Sequence, residues 1–380
     1  MPESYQDSYT IRFNNLADMM AYHAEQTRES QWERAVINNL RVEPLEENSW
    51  LCGDTSAFAL HVSEDAVKDT AKNLGLAVSF NGMYYPLRDT AYKSLLDRAR
   101  VSGTALPKLG RRDLSNTLNA CLALHKDSAL MLFRNQKITA LHSGGEKDYS
   151  VLPIDELMES IKVSLDERFP GNVFETGYSD HSLTSAAWLL PDQTNDLLGT
   201  YQKMLEAQGK TGIAVKLTPG IRFITSDTGV ASAKVSALLL GLPYPVSIGG
   251  MVCTEHRGQK KVSDFQDSLG MLFAQFENSV KRLEKLTAVY LDYPVNVMTA
   301  VCKHLSLPKK ASLEAIGMYE ASYGGGIATA HDVFMAMQEI MFICKTDNTP
   351  MSKMLQLEES MARALTLNWP RHDTMKAVSW

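Results

Sequence analysis

The sequence predicts an α+β fold, in which a meandering antiparallel β core is followed by an all-helical C-terminal third. Short apolar runs separated by polar turns fill the middle of the 380-residue chain, without the regular strand and helix alternation of a parallel sheet. Beyond Ser263, apolar residues recur at helical spacing, as at Leu269, Leu272, Phe276 and Val280. With 44% hydrophobic residues, a chain of this length can bury a core without disulfides or metals.

These patterns divide the chain into four expected segments. Residues 1–50 form an N-terminal arm with a helical segment, 51–262 the α+β core domain, 263–370 a helical region and 371–380 a tail. In the arm, residues 16–24 predict a helix. Helical spacing continues after it at Trp32, Val36, Ile37 and Leu40.

The first part of the core domain begins with a well-marked helix. Ser63 can cap its start, Val62 and Val67 can pack across the cap, and Gly75 ends it. Two further helices are expected over 89–100 and 112–124. The runs 129–134 and 138–142 are short and apolar and are separated by polar residues, which predicts a β-hairpin.

The second part of the core domain opens with a helix that starts at Pro153 and ends at Gly171. Strands are expected over 172–190, and a helical patch or loop over 192–208. A strand over 221–225, a polar turn over 226–229 and a small-residue helix over 230–240 follow. The glycine pair Gly249 and Gly250 marks a loop. Further helices are expected over 295–304, 311–320, 331–344 and 351–367.

Charge and cysteine content limit the possible functions. The formal net charge is −6, so any contact with nucleic acid must use a local groove. Five scattered cysteines without a CxxC pair indicate reduced thiols in a cytoplasmic protein. The N-terminus is polar and acidic, unlike a signal peptide, and no apolar run approaches the ~20 residues of a membrane span. We therefore expect a protein of the host-cell cytoplasm without membrane contact.

Several motifs resemble a family of phage- and plasmid-encoded proteins. These motifs are ITALHS followed by Tyr149, then LPIDELMESI, and then PGIRFITSDTGVASAKVSALLL. The family includes the prophage YfjQ/YafZ-like proteins and carries a domain of unknown function. Its later motif has the form G-I-x-x-x-N-S-E-x-G, and Thr225 stands here where asparagine is usual. The resemblance covers roughly residues 55–345 and implies a mobile-element protein, without an established activity.

The order of hairpin, helix, three strands and helix is also similar to the core of phage single-strand annealing proteins of the Red-beta and RecT type. This similarity suggests a homo-oligomeric, single-stranded DNA-binding protein of recombination or replication. Such a role needs cations along the phosphates and rings against the bases. The candidate DNA-binding residues are Arg134, Lys137, Lys147, Tyr149, Lys216, Arg222, Lys234, Arg257, Lys260 and Lys261.

Two other functions remain open. The acidic total charge and the methionine-rich C-terminal helices also suit an effector that binds a host protein and inhibits a defence or restriction system. A nuclease or nucleotide-processing enzyme would need a site that the sequence does not display, since GxSxG, P-loop and HExxH motifs are missing. Two further hypotheses are an activated thiol formed by Cys253 and His256, and a phosphate-binding turn over residues 323–326. We expect no catalytic residue, cofactor or metal.

Overall fold

The computed structural model describes residues 4–242 and 244–380 and confirms the α+β fold. The strands are β1 Thr10–Phe13, β2 Gln31–Val36, β3 Arg41–Pro44, β4 Leu76–Phe80, β5 Met83–Pro86, β6 Ser128–Arg134, β7 Lys137–Ser143, β8 Val173–Asp180, β9 Thr184–Leu189, β10 Thr218–Thr225, β11 Ala233–Leu240, β12 Val246–Thr254, β13 Tyr290–Leu291 and β14 Ala328–Thr329. The helices are α1 Leu16–Glu29, α2 Trp50–Gly53, α3 Glu64–Lys72, α4 Asp89–Ala99, α5 Arg111–Leu122, α6 Ile154–Arg168, α7 Thr194–Ala207, α8 Thr211–Ala214, α9 Val262–Leu269, α10 Leu272–Leu286, α11 Pro294–His304, α12 Lys309–Tyr323, α13 Ala330–Met337, α14 Glu339–Thr346 and α15 Met351–Ala362.

A six-stranded antiparallel sheet organises the larger part of the chain. Its order is β1-β8-β9-β10-β11-β12, so five of its strands form a simple meander. The sixth, β1, comes from the N-terminus and pairs with β8, with Phe13 opposite Gly177. The N-terminal segment therefore closes one edge of a sheet that is otherwise built from residues far along the chain.

Two three-stranded sheets, β2-β6-β7 and β3-β4-β5, form a smaller lobe. Helices α4 and α5 pack against them around a separate buried cluster that includes Leu95, Leu118, Met131 and Leu141. The hairpin β6-β7 is confirmed, with Arg134 opposite Lys137. This lobe places the hairpin beside the large sheet.

The hairpin tip is a two-residue turn in which both residues have positive φ, 50° at Asn135 and 67° at Gln136. Such a type I′ turn matches the right-handed twist of the strands. The tip is also tied to its surroundings, because Ser63 N donates to Gln136 Oε1 (2.8 Å) and Asn135 Nδ2 donates to Gln26 Oε1 (3.0 Å). The hairpin is thus fixed between α1 and the start of α3.

Most predicted helices are present, and Ser63 caps α3 as expected, with Ala66 N donating to its hydroxyl. Three predictions are wrong. The expected helix over 230–240 is strand β11, the expected loop at Gly249 and Gly250 lies within strand β12, and the helical spacing from Trp32 to Val36 belongs to strand β2. In each case strand pairing decides the conformation, because β11 pairs with β10 and β12, and β2 pairs with β6.

The large sheet is covered on both faces. Phe223 packs on Phe265 of α9 within the main core, whereas the neighbouring Ile224 contacts Leu355 of α15 in a small cluster on the other face. The C-terminal helices share the main core with the sheet, and Met337 is completely buried in it. In the described part of the chain, no helix combines the length and the apolar character needed to cross a membrane.

Candidate functional site

The turn between β10 and β11 connects the large sheet to the smaller lobe. Ser226 is fully buried, and its Oγ donates to Ser182 O (2.6 Å). The same oxygen accepts from Thr228 N (3.1 Å) and Val230 N (3.2 Å). A serine at this position therefore satisfies the amides of a buried turn and fixes the residue that follows, Asp227.

Asp227 holds the hairpin to this turn through a buried ion pair. Arg134 Nη2 lies 2.6 Å from Asp227 Oδ2, and the two side chains are 16% and 5% exposed. Arg134 Nε also donates to Ser30 Oγ at 2.6 Å. Burial is the largest effect and would lower the pKa of Arg134, but the charge and hydrogen bond of Asp227 together with the nearby Tyr9 and Tyr22 outweigh it, and the pKa is raised. The ion pair joins β6, the end of α1 and the large sheet.

Aromatic rings surround the other side of this residue, and we call Trp32, His142, Tyr149 and His256 the ring stack. The carbonyl oxygen of Asp227 accepts from Tyr149 Oη (3.2 Å) and lies 2.8 Å from His142 Nε2. The rings of His142 and Tyr149 are parallel, with centroids 3.6 Å apart and planes at 4°. His256 lies 5.3 Å from Tyr149 at 12°, and Trp32 lies 5.7 Å from it at 29°.

The ring stack is uncharged at neutral pH. Burial lowers the pKa of His142 to about 4 and also lowers the pKa of His256. Burial likewise raises the pKa of the Tyr149 phenol well above its usual value. Neutral imidazole and phenol rings offer polarisable surfaces for stacking, without a group that titrates near pH 7 for acid–base chemistry.

An open cleft of about 460 Å³ runs along these rings, and we call it the ring cleft. Its lining includes His142, Tyr149 and His256 from the ring stack. Arg98 and Arg257 also line it, and so do carboxylates. A neighbouring space of about 480 Å³ shares part of this wall, including Arg98. The ring cleft is therefore long enough to continue past the rings, and its walls carry charges of both signs.

Four of the ten predicted DNA-binding residues are paired with carboxylates, and three of these cations are paired inside the fold, whereas Glu359, the partner of Lys234, is 59% exposed. Lys137 is completely buried, with its Nζ 3.0 Å from Asp7 and 2.5 Å from Asp69. Arg134 pairs with Asp227 as described above. The remaining pairs join the sheet to α15 and are Arg222 with Glu358 and Lys234 with Glu359. These cations stabilise packed elements, so we leave them out of the proposed binding surface.

The other predicted residues are exposed or lie at the rings. Lys147, Arg257, Lys260 and Lys261 are exposed and come from two adjoining loops, since Gly258 N donates to Lys147 O (2.9 Å). Tyr149 belongs to the ring stack. Lys216 is also exposed, but it precedes β10 and so lies at the opposite end of that strand from the turn. The structure thus brings together five of the ten residues.

The ring stack is not recognisable as a unit from the sequence. The sequence predicts His142 only as the end of the hairpin and Trp32 only as an apolar position. It also suggests His256 as a partner of Cys253, but His256 Nδ1 faces Ser150 O (3.1 Å) and its Nε2 faces Thr225 Oγ1 (3.4 Å). Both ring nitrogens therefore have other contacts, which removes the geometric basis of a thiol pair. A usable signal is the closeness in sequence of two of these rings, His142 at the end of β7 and Tyr149 in the loop that follows it.

The glycine-rich segment 323–326 does not form an open phosphate-binding site. The following helix α13 begins with a capping box, in which Thr329 and Asp332 satisfy each other's backbone N–H groups. Asp332 also pairs with Lys210 at 2.6 Å.

Among residues 4–242 and 244–380, no cluster of three or more His, Cys, Asp or Glu side chains is arranged to hold a metal ion. Comparison with known proteins found no matching family model, curated protein or solved structure, so the function is argued from the geometry of this site.

Proposed function

We propose that the protein binds single-stranded nucleic acid, DNA in the first place, in the ring cleft. The observation that carries this proposal is the set of neutral rings, His142, Tyr149 and His256, that line an open cleft beside exposed cations. Unpaired bases stack on such rings whatever their sequence, and each stacked base contributes ~1–3 kcal/mol. Duplex DNA keeps its bases stacked on each other and gains less from the same surface.

The cations suit weak, local phosphate contacts. Arg257 lines the ring cleft, and Lys147, Lys260 and Lys261 belong to the same two adjoining loops. Lys260 is only loosely held by Asp264 at 3.4 Å, with both side chains nearly half exposed. Phosphates can replace such a carboxylate at little cost, because exposed ion pairs contribute at most ~1 kcal/mol. With a total charge of −6, the protein depends on this local patch, and binding should weaken steeply with salt.

The sequence resemblance supports the wider setting of this activity. We place it in recombination or replication of a phage or plasmid, in the cytoplasm of the host cell, with several copies of the chain acting together on one strand. Non-specific single-strand binding commonly requires such cooperation along the strand.

Tyr149 offers the sharpest test of the stacking contact. We expect Tyr149→Ala to weaken binding of a labelled oligothymidylate about 5- to 100-fold, because a stacked ring contributes ~1–3 kcal/mol. Tyr149→Phe keeps the ring and loses only the hydroxyl contact to Asp227, so it should bind nearly as the wild type does. Fluorescence anisotropy measures both, and circular dichroism establishes that the variants are folded.

The electrostatic contribution is measured in the same assay at about 50 mM and about 200 mM salt. Arg257→Ala and Lys260→Ala should each make the slope of log affinity against log salt less steep by about one, which corresponds to the loss of one phosphate contact. Lys216→Ala serves as the matched control, since it removes an equally exposed cation away from the ring cleft and should leave the slope unchanged. Absence of any binding by the wild type at low salt would refute the proposal.

A protein-binding effector is the second candidate, and a separate surface favours it. Around the β13-β14 pair, Tyr290, Tyr323 and Ile327 are 70%, 71% and 70% exposed. Large exposed apolar side chains grouped at one place are typical of protein contacts. If the wild-type protein does not bind oligonucleotides, replacing these three residues with alanine tests this alternative. Loss of the inhibition of a host protein in the triple variant would favour it.

A further inference from the structure

Three carboxylates line the ring cleft, those of Asp97, Asp148 and Glu255, and all three residues are exposed. A carboxylate repels the phosphates of a nucleic acid, so these side chains do not suit contacts with the backbone of a strand. A base is uncharged, however, and its amino and imino N–H groups donate hydrogen bonds to carboxylate oxygens. The carboxylates therefore suit the edge of a base whose ring stacks in the cleft.

Asp148 is held next to the stacked rings. The ring centroids of His142 and Tyr149 are 3.6 Å apart, and the residues beside them in sequence, Ser143 and Asp148, are joined by a hydrogen bond from Ser143 Oγ to Asp148 Oδ2. In the described part of the chain, no side chain or amide donates to Asp148 Oδ1. Ser143 therefore fixes this carboxylate beside the ring pair and leaves it able to accept further hydrogen bonds.

Arg98 approaches the same rings from helix α4. Ser94, one turn earlier in α4, accepts from Leu141 N at 3.1 Å and so holds the helix against the strand that carries His142. Burial is the main cause of the lowered pKa of His142, and the nearby charge of Arg98 acts in the same direction. Arg98 is half-buried, and its Nε has no hydrogen-bond partner in the described part of the chain. The guanidinium therefore keeps donor capacity that the protein itself does not use.

Arg98 and Asp148 stand where two spaces join. Both residues line the ring cleft of about 460 Å³, and both also line the neighbouring space of about 480 Å³. The rings of His142 and Tyr149 border only the first of these spaces. A base that stacks in the ring cleft can therefore extend its edge toward a guanidinium and a carboxylate at the junction.

Guanine is the base that uses both groups fully. Its N1–H and N2–H₂ groups are adjacent donors that match the two oxygens of a carboxylate, and its O6 and N7 atoms are adjacent acceptors that match a guanidinium. Cytosine and adenine each offer only one amino group to a carboxylate. Thymine has a carbonyl oxygen on each side of its single N–H, and a carboxylate repels these oxygens.

We propose that the ring cleft selects guanine among the bases of a single strand, with Asp148 accepting from N1–H and N2–H₂ and Arg98 donating to O6 and N7. This inference rests on the proposed function, because a base must stack in the ring cleft before its edge is read. It adds a base preference to stacking, which by itself accepts every base. It also gives the carboxylates of the ring cleft a role that phosphate contacts do not explain.

The test compares two labelled oligonucleotides of about 10 nucleotides by fluorescence anisotropy, one of thymidine alone and one with a single central guanosine. We expect the guanosine to strengthen binding about 5- to 100-fold, the range of one well-placed bidentate contact to a base. Equal affinities for the two oligonucleotides would overturn the guanine preference and leave the proposed function standing. Absence of binding by both would refute the proposed function, and the preference with it.

Modified bases test the two contacts in the wild-type protein. Inosine lacks the N2 amino group and should lose part of the gain, because Asp148 then accepts from N1–H alone. A 7-deazaguanosine lacks N7 and should also lose part of it, because Arg98 then donates to O6 alone. If both analogues bind as tightly as guanosine, the proposed contacts are wrong.

Variants assign each contact to its side chain. In Asp148→Asn, inosine and guanosine should bind nearly alike, and in Arg98→Met, 7-deazaguanosine and guanosine should bind nearly alike. Asp347→Asn removes an exposed carboxylate outside both spaces and should keep the wild-type ratios. Circular dichroism establishes that the variants are folded. Wild-type ratios in Asp148→Asn and Arg98→Met would overturn the assignment.

Discussion

Replacing Asp227 with alanine is expected to lower the free energy of unfolding by about 3–5 kcal/mol, which is typical for removal of one partner from a buried ion pair. The substitution leaves the Arg134 guanidinium buried beside Ser30 without its countercharge. It leaves the carbonyl of residue 227 in place, so the contacts to His142 and Tyr149 are not removed directly. Urea denaturation followed by circular dichroism measures the change.

Two comparisons make this result specific. Asp347→Ala removes an exposed partner, since Lys310 and Asp347 are 79% and 50% exposed, and should cost at most ~1 kcal/mol. The double variant Arg134→Met with Asp227→Ala removes both charges and should recover a large part of the loss. A loss below ~1 kcal/mol for Asp227→Ala alone would contradict the role that we assign to the pair.

Mild acid is expected to destabilise the protein strongly between pH 6.5 and pH 4. Burial lowers the pKa of His23 to about 3, and burial likewise lowers the pKa values of His142 and His331 to about 4. In the unfolded chain, these histidines take up protons near pH 6.5, whereas the folded protein keeps them neutral until a much lower pH. The unfolded state therefore binds more protons in this window, and stability falls as the pH falls.

The expected slope is about 1.4 kcal/mol for each pH unit and each of these histidines once the pH is below 6. Denaturation midpoints at about pH 7.5 and about pH 5 reveal it. His331→Gln, which can keep a hydrogen bond to the Tyr201 hydroxyl, should reduce the slope, while replacing the exposed His61 should not. Equal stability at both pH values would show that the three imidazoles are not held neutral by burial.

Local signals predicted much of the fold. The cap at Ser63 and the hairpin around Asn135 depend on residues within one turn or one tight connection, and both are confirmed. The composition of the region 230–240 predicts a helix wrongly, because alanine, serine and leucine fit either structure. Only its place between β10 and β12 makes it a strand.

The candidate site was harder to predict, because its geometry comes from contacts between distant parts of the chain. Arg134 and Asp227 are 93 positions apart, and Arg222 and Glu358 are 136 positions apart. A sequence shows that a cation is present but not whether a carboxylate neutralises it. The same limit applies to Trp32, His142 and His256, whose parallel arrangement exists only after both lobes have formed.

The pairing of β1 with β8 has a consequence for synthesis of the protein. Phe13 leaves the ribosome long before its partner Gly177, and at ~5–20 residues per second the delay is roughly ten to thirty seconds. During this time, Phe13 and Met19, both buried in the finished core, have no sheet to pack against. The nascent N-terminus must therefore stay open and soluble until the meander emerges, and deleting it would leave β8 as an unprotected sheet edge prone to aggregation.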